Sequence, residues 1–202
     1  MFISTQDWKN YIDKLSRLNE EAADKMVKYI QTYGFGDREA IIRYANALVL
    51  QYGNASGSLA ASMYDAIAEM SGKFYEPADP AEPPKYGEVA KTVNGAMKQS
   101  ENPNVLGSAV GRMVKQQSAD TMLQNAARDT RKYGKKKNTG IQFAWVPMGD
   151  TCPFCLVLAS RGWQNQTVGG ETHAEHIHAN CDCNYAVRFD TRSGIEGYDP
   201  DK

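Results

Sequence analysis

Residues 5–33 read TQDWKNYIDKLSRLNEEAADKMVKYIQTY, a stretch in which apolar side chains return every three or four positions. This spacing matches the 3.6-residue turn of an α-helix and places those side chains on one face. Thr5 is expected to cap the start of the helix and Gly34 its end. The stretch therefore predicts a long amphipathic helix that packs against other helices. Its apolar face consists of Trp8, Ile12, Leu15, Leu18, Ala22, Met26, Tyr29 and Tyr33.

The next 40 residues repeat the helical pattern. One helix is predicted over Arg38 to Tyr52, and Gly53-Asn54 is expected to break it. A further helix is predicted over Ser58 to Met70. Together with the first helix, these elements predict an antiparallel helical hairpin or a three-helix unit. Their Tyr and Met side chains are interpreted as core and helix contacts.

Residues 76–87 read EPADPAEPPKYG and hold half of the 8 prolines of the chain. Proline disrupts a helix interior and favours extended backbone, so this segment is predicted to be a linker that spaces two parts of the molecule apart. Two more helices are predicted beyond it, over Glu88 to Ser100 and Val105 to Tyr133.

The pattern changes after Gly140. Residues 141–146 and 185–189 alternate and are rich in β-formers, so they predict two strands that pair with each other. A short helical piece is expected over Leu156 to Ser160. The fold class is thus mainly α, with an N-terminal helical hairpin or bundle and a small C-terminal α+β module. The predicted divisions are an N-terminal helical domain (1–75), a Pro-rich linker (76–87), a helical region (88–139) and the C-terminal module (140–202).

All 4 cysteines and all 3 histidines lie between positions 152 and 183. Cys152 and Cys155 form a C-x2-C pair, and after a gap His178, Cys181 and Cys183 form an H-x2-C-x-C group. Thiolate sulfur and imidazole nitrogen are the ligands that zinc prefers, and two close-set pairs can hold one tetrahedral ion. The sequence predicts a structural Zn²⁺ that stabilises the small C-terminal sheet, so residues 140–202 are predicted to be a zinc-binding, zinc-stabilised α+β module. Cys181 and Cys183 both suit the fourth position, and spacing does not choose between them.

Composition restricts the other roles. The net charge is −1, so attraction to nucleic acid has to be local. Residues 128–137 supply one such patch, with Arg128, Arg131 and Lys132 followed by lysines at 135, 136 and 137. The patch suits a solvated helix end, and the alternative is non-specific contact with DNA phosphate or with an acidic protein surface.

No run approaches the roughly 18 apolar residues of a membrane span, so no membrane contact is expected. The first 30 residues have no apolar signal-peptide core, which argues against disulfides.

The segment DTCPFC at 150–155, followed by HANCDC at 178–183 and an apolar strand, resembles the C-terminal module of tailed-phage minor head proteins. This head-morphogenesis family is typified by the minor head protein of phage Mu. The helical first part and the proline linker are similar to capsid structural proteins of phages of Gram-positive bacteria. Asp182 and Ala179 stand where family members usually carry Arg and Pro. The metal ligands are intact, but this chain lacks the Arg through which a phosphate could be contacted.

The resemblance implies a structural protein without catalytic activity. A few copies would bind near the portal inside the virion head after assembly in the host cytoplasm. Its partners would be portal or capsid proteins, and its role would be head assembly or DNA packaging and ejection.

Three enzyme classes are the alternatives. His173-Ala174-Glu175 matches the H-x-E of zinc deaminases, although it follows the cysteine pair where that family places it before. Cys152-Pro153-Phe154-Cys155 after a strand imitates a thiol oxidoreductase site, without the βαβ pattern around it. His176, His178 and Asn180 suggest a nuclease of the His-Asn-His type. Against this class, the sequence has no further histidine downstream.

Overall fold

A computed structural model describes residues 2–73, 76–133, 141–147, 151–165, 184–190 and 194–198. The described part is mainly helical, as predicted. Its helices are α1 (Thr5–Tyr33), α2 (Arg38–Met70), α3 (Tyr86–Gln99), α4 (Pro103–Tyr133) and α5 (Pro153–Ala159). Its strands are β1 (Phe2–Ile3), β2 (Gln142–Val146), β3 (Gln164–Asn165), β4 (Asn184–Arg188) and β5 (Gly194–Ile195). None of the described helices is long and apolar enough to cross a membrane.

Helix α1 spans the predicted stretch, with one correction at its start. The cap is Ser4 and not Thr5, because Ser4 is extended and its hydroxyl accepts the Asp7 N–H at 3.0 Å. The Thr5 hydroxyl instead donates to the Glu196 carbonyl at 2.9 Å. Gly34 ends the helix as predicted, at φ 71°, where its N–H donates to the Ile30 carbonyl. Tyr33 does not join the buried face, since it is 72 % exposed.

Helix α2 runs without a break from Arg38 to Met70, so the predicted interruption at Gly53-Asn54 is wrong. The glycines of its middle serve close packing against α4. A Cβ placed on Gly57 would lie 3.2 Å from the Thr121 hydroxyl oxygen and 3.3 Å from the Pro80 Cβ. The contacts with α4 and with the proline segment therefore outweigh the weak helix propensity of glycine.

Helix α4 lies between α1 and α2 and contacts both along much of its length. Gly107 and Gly111 meet α1 around Ala23, and a Cβ on Gly107 would lie 2.9 Å from the Ala23 carbonyl oxygen. The order in which these glycine contacts follow one another along each helix shows that α4 runs antiparallel to α1 and parallel to α2. The first two helices thus form an antiparallel hairpin, as predicted, with α4 packed into it.

The C-terminal strands form the pairing predicted from the sequence. Strand β2 pairs antiparallel with β4, with Gln142 opposite Arg188 and Val146 opposite Asn184, and β3 adds the third strand in the order β3-β2-β4. A second, unpredicted pairing joins the two ends of the chain, because β1 is parallel to β5 with Phe2 opposite Gly194. A two-residue strand carries no periodic signal from which this pairing could be predicted.

The sheet shares a hydrophobic core with the helices. Trp8 of α1, Tyr64 of α2 and Met122 of α4 are buried with Trp145 of β2 and with Phe189. The Tyr64 and Phe189 rings meet edge to face at 5.2 Å. A second core lies among α1, α2, α3 and α4. The C-terminal strands therefore pack on the helical bundle, and the divisions at 75, 87 and 139 stay predictions about domain boundaries.

Candidate functional site

The first half of the predicted metal site is a turn at the start of α5. Cys152 is the N-cap residue, with Pro153 next to it at the first helical position. The Cys155 N–H points at the Cys152 sulfur, at 3.5 Å. Cys155 is fully buried in the shared core, whereas Cys152 is partly exposed. The two residues are not joined by a disulfide.

This turn suits a metal ligand pair. A backbone N–H directed at a sulfur and the positive end of a helix both stabilise negative charge on a thiolate, which is the form that binds zinc. The pair supplies two of the four ligands of a tetrahedral site. His178, Cys181 and Cys183, together with His173 and His176, lie outside the described residues. Within the described ranges, no group of three or more His, Cys, Asp or Glu side chains is placed to hold a metal ion, so the zinc site stays a prediction.

The outer face of α5 is apolar and open to solvent. Phe154, Leu156 and Val157 are exposed to 43 %, 50 % and 58 %. On the inner side, Cys155 and Leu158 pack into the core beside β2. A neighbouring cluster of exposed apolar side chains is a common feature of protein docking surfaces.

The proline segment is not a spacer, which corrects the prediction made from its composition. Residues 76–85, called the strap below, lie against α4 and are held by side chains spaced four residues apart on that helix. Gln117 donates to the Ala81 carbonyl, and the Thr121 hydroxyl accepts the Ala81 N–H at 3.0 Å. Asn125 accepts the Asp79 N–H at 3.1 Å and donates to the Asp79 carbonyl at 2.8 Å. The strap is extended as predicted, but it is fastened to the bundle.

Gln117, Thr121, Asn125 and Asp129 form a polar ladder on α4. All four are at most 2 % exposed, and Asp129 accepts the Tyr64 hydroxyl at 2.9 Å. A buried polar group is costly unless it is hydrogen-bonded, so these bonds make the ladder tolerable inside the bundle. The ladder was missed from the sequence, although the regular spacing of four polar residues within a helix was a signal for it.

Two cations of the basic run are engaged by the strap. Arg128 Nε lies 2.8 Å from a carboxylate oxygen of Glu76 and 2.8 Å from one of Asp129. Lys132 Nζ lies 2.7 Å from Glu76. The hydrogen bond from Lys132 is the main cause that lowers the pKa of Glu76, and the same bond raises the pKa of Lys132. Within the described part of the run, Arg131 is therefore the exposed cation outside this network, and the lysines at 135–137 lie beyond the described residues.

The VG15 protein family matches residues 2–202 of the chain. The chain belongs to this family, and it is a phage-encoded protein. Neither the curated proteins nor the solved structures gave a match.

Proposed function

We propose that this phage protein is a structural minor component of the virion head that docks on the portal or on capsid subunits and acts in head assembly or in DNA packaging and ejection. The observation that carries the proposal is the exposed apolar face of α5, formed by Phe154, Leu156 and Val157, on a helix that packs on the shared core through Cys155 and Leu158. Membership of a phage family and the resemblance of the Cys/His segment to minor head proteins support the same role.

A packed helical framework suits such docking. The long helices α1, α2 and α4 each span about 44–50 Å at about 1.5 Å per residue, and the strap runs along α4 on a ladder of hydrogen bonds. A preorganised surface loses little conformational entropy when it binds, which favours stable incorporation into a larger assembly. In this proposal the bundle positions the α5 face, and the chain has no catalytic role.

The direct test is detection of the chain in purified particles. Mass spectrometry of mature virions and of DNA-free heads is expected to find it in a few copies per head. A virion assembled with the variant Leu156→Asp/Val157→Asp is expected to lack the protein, because charges on the α5 face would weaken docking. A variant with the same charge change on an exposed part of α1, Lys9→Gln/Lys14→Gln, serves as the matched control. Absence of the wild-type chain from both kinds of particle would overturn the head role.

The zinc ion is part of the proposal, with Cys152 and Cys155 as one ligand pair and His178 with Cys181 or Cys183 as the other. Zinc would supply a closed structural site that ties the segment after β3 to the α5 turn. Native mass spectrometry of protein purified without chelator is expected to show one zinc, and the denatured protein four reduced thiols. Cys152→Ser is expected to lose the metal. A metal-free protein whose denatured mass is lower by two hydrogens would point to a disulfide and to the thiol oxidoreductase alternative.

A further inference from the structure

A recess near the carboxyl end of α1 combines aromatic rings with lysines. It has a volume of about 370 Å³ and is lined by Lys25, Lys28, Tyr29, Thr32, Tyr33 and Tyr44. Lys25, Tyr29 and Tyr33 are four residues apart on α1 and so follow one ridge of the helix, with the lysine one turn before the two rings. We call this site the tyrosine–lysine recess.

The rings of the recess form a stack that continues outwards. Tyr29 lies on Tyr44 of α2, with ring centroids 4.3 Å apart and planes 15° apart. Tyr33 packs against Tyr29 at 4.9 Å. Tyr29 and Tyr44 are anchored against the second core, whereas Tyr33 is 72 % exposed. A supported stack thus ends in a ring that is open to a further planar group.

The charge of the recess is positive. None of the lining residues is acidic, and within the described residues neither Lys25 nor Lys28 forms an ion pair. Carbonyl groups of the last helical turn carry partial negative charge, but that of Ile30 already accepts the Gly34 N–H at 2.8 Å. The two ammonium groups therefore favour an anionic ligand.

We infer that the tyrosine–lysine recess binds single-stranded nucleic acid, with an unpaired base stacked on Tyr33 and the neighbouring phosphates held by Lys25 and Lys28. An aromatic platform beside cations is the arrangement by which proteins bind single strands without reading their sequence. Duplex bases are already stacked on one another, so a duplex can use only the lysines. This surface is separate from the basic run at 128–137 and from the α5 face, and its role does not depend on docking in the head.

The test is fluorescence anisotropy of a labelled oligothymidylate of roughly 15 nucleotides, with a duplex of the same length in parallel. We expect tighter binding of the single strand. Tyr33→Ala is expected to weaken that binding about tenfold, and Tyr33→Phe to retain it, since stacking uses the ring and not the hydroxyl. Tyr33 is largely exposed, so folding is not expected to change, and circular dichroism checks this.

The lysines are tested by salt dependence. Lys25→Gln/Lys28→Gln is expected to reduce the slope of log affinity against log salt by about 0.7 for each lysine. Lys9→Gln/Lys14→Gln, at the other end of α1, is the matched control and is expected to leave the slope unchanged. The inference is overturned if wild type binds no oligothymidylate at low salt, if Tyr33→Ala binds as wild type does, or if only Arg131→Gln reduces binding. It is also overturned if single strand and duplex bind equally.

Discussion

Gly107 shows how much a single hydrogen atom in place of a methyl group matters in this bundle. A Cβ at this position would lie 2.7 Å from a Val27 methyl carbon and 2.9 Å from the Ala23 carbonyl oxygen. The second neighbour is backbone and cannot rotate away, so Gly107→Ala forces α1 and α4 apart. We expect a loss of about 1–3 kcal/mol in the free energy of unfolding, measured by urea denaturation.

The matched control is Gly95→Ala on α3, where a Cβ would meet nothing within 4 Å. There the helix propensity of alanine acts alone, and a gain of about 0.5–1 kcal/mol is expected. Equal effects of the two substitutions would contradict the close approach of α1 and α4.

Asp120 allows a prediction about pH. Burial raises the pKa of its carboxyl, and the hydrogen bond from Gln116, at 2.8 Å, opposes that shift. The folded protein therefore binds the Asp120 proton more tightly than the unfolded chain does. Stability from this group is present below the unfolded pKa and is lost as the pH rises through the folded pKa.

Asp120→Asn is accordingly expected to be more stable than wild type at neutral pH, with the advantage shrinking as the pH falls toward the ordinary aspartate pKa of about 3.9. Denaturation midpoints measured over this range check the sign. Asp24→Asn, at an exposed position of α1, is the control for the loss of one carboxylate from a helix surface. An advantage that grows on acidification would refute the assignment.

At the scale of elements, the strap depends on the ladder of α4. Asn125 is 1 % exposed and makes two hydrogen bonds to the Asp79 backbone. Asn125→Ala removes both of these bonds to the exposed Asp79, so a net loss of about 0.5–1.5 kcal/mol for each bond is expected. The strap should also loosen, which trypsin cleavage after Lys73 or Lys85 would report under native conditions.

Gln124→Ala is the matched control, because Gln124 is exposed and makes one hydrogen bond to the same carbonyl, at 3.0 Å. It is expected to change stability by less than about 0.5 kcal/mol and to leave the cleavage rate unchanged. Rapid cleavage of the strap already in wild type would show that the ladder does not hold it.

The elements differ in how well the sequence predicted them. Helix α1 and the pairing of β2 with β4 have periodic apolar patterns, and both were predicted within a residue or two. The glycines in α2 and the prolines in the strap were misinterpreted because both are breakers by local propensity. Close contact with Thr121 requires a small residue at Gly57, and hydrogen bonds to α4 hold the strap in place. In both cases the contacting residues lie far away in the sequence.

At the scale of the whole molecule, the shared core predicts that helices and sheet unfold together. Phe189 is 2 % exposed and packs on Tyr64 of α2. Phe189→Ala is expected to cost about 3–5 kcal/mol. Helix content from circular dichroism and the tryptophan fluorescence, to which Trp8 and Trp145 of the shared core contribute, should change in one transition.

Tyr64→Phe is the companion variant, since it removes the hydroxyl bonded to Asp129 and keeps the ring on Phe189. It tests the polar ladder separately from the apolar contact. Two separate transitions in Phe189→Ala would instead make the C-terminal sheet an independent domain.

Some residues of the candidate sites could be predicted from the sequence, and others come together only in the tertiary structure. The C-x2-C spacing alone led to Cys152 and Cys155, and the structure places them at the start of α5, with Cys155 in the core. The recess of Tyr29, Tyr33 and Tyr44 had no such signal, because Tyr44 belongs to another helix and stacks only after α1 and α2 have paired. Tyr33 was assigned to the buried face from its period, yet it lies at the helix end, beyond the packed core.

Period and composition were enough to establish a mainly helical chain, the positions of its long helices, a small β-sheet and a cysteine turn, because these depend on neighbours a few residues away. Tertiary packing decided the continuity of α2, the fastening of the strap, the pairing of β1 with β5 and the fusion of sheet and bundle into one core. These features join residues far apart in the chain, and their free energy comes from contacts that exist only once the helices have assembled.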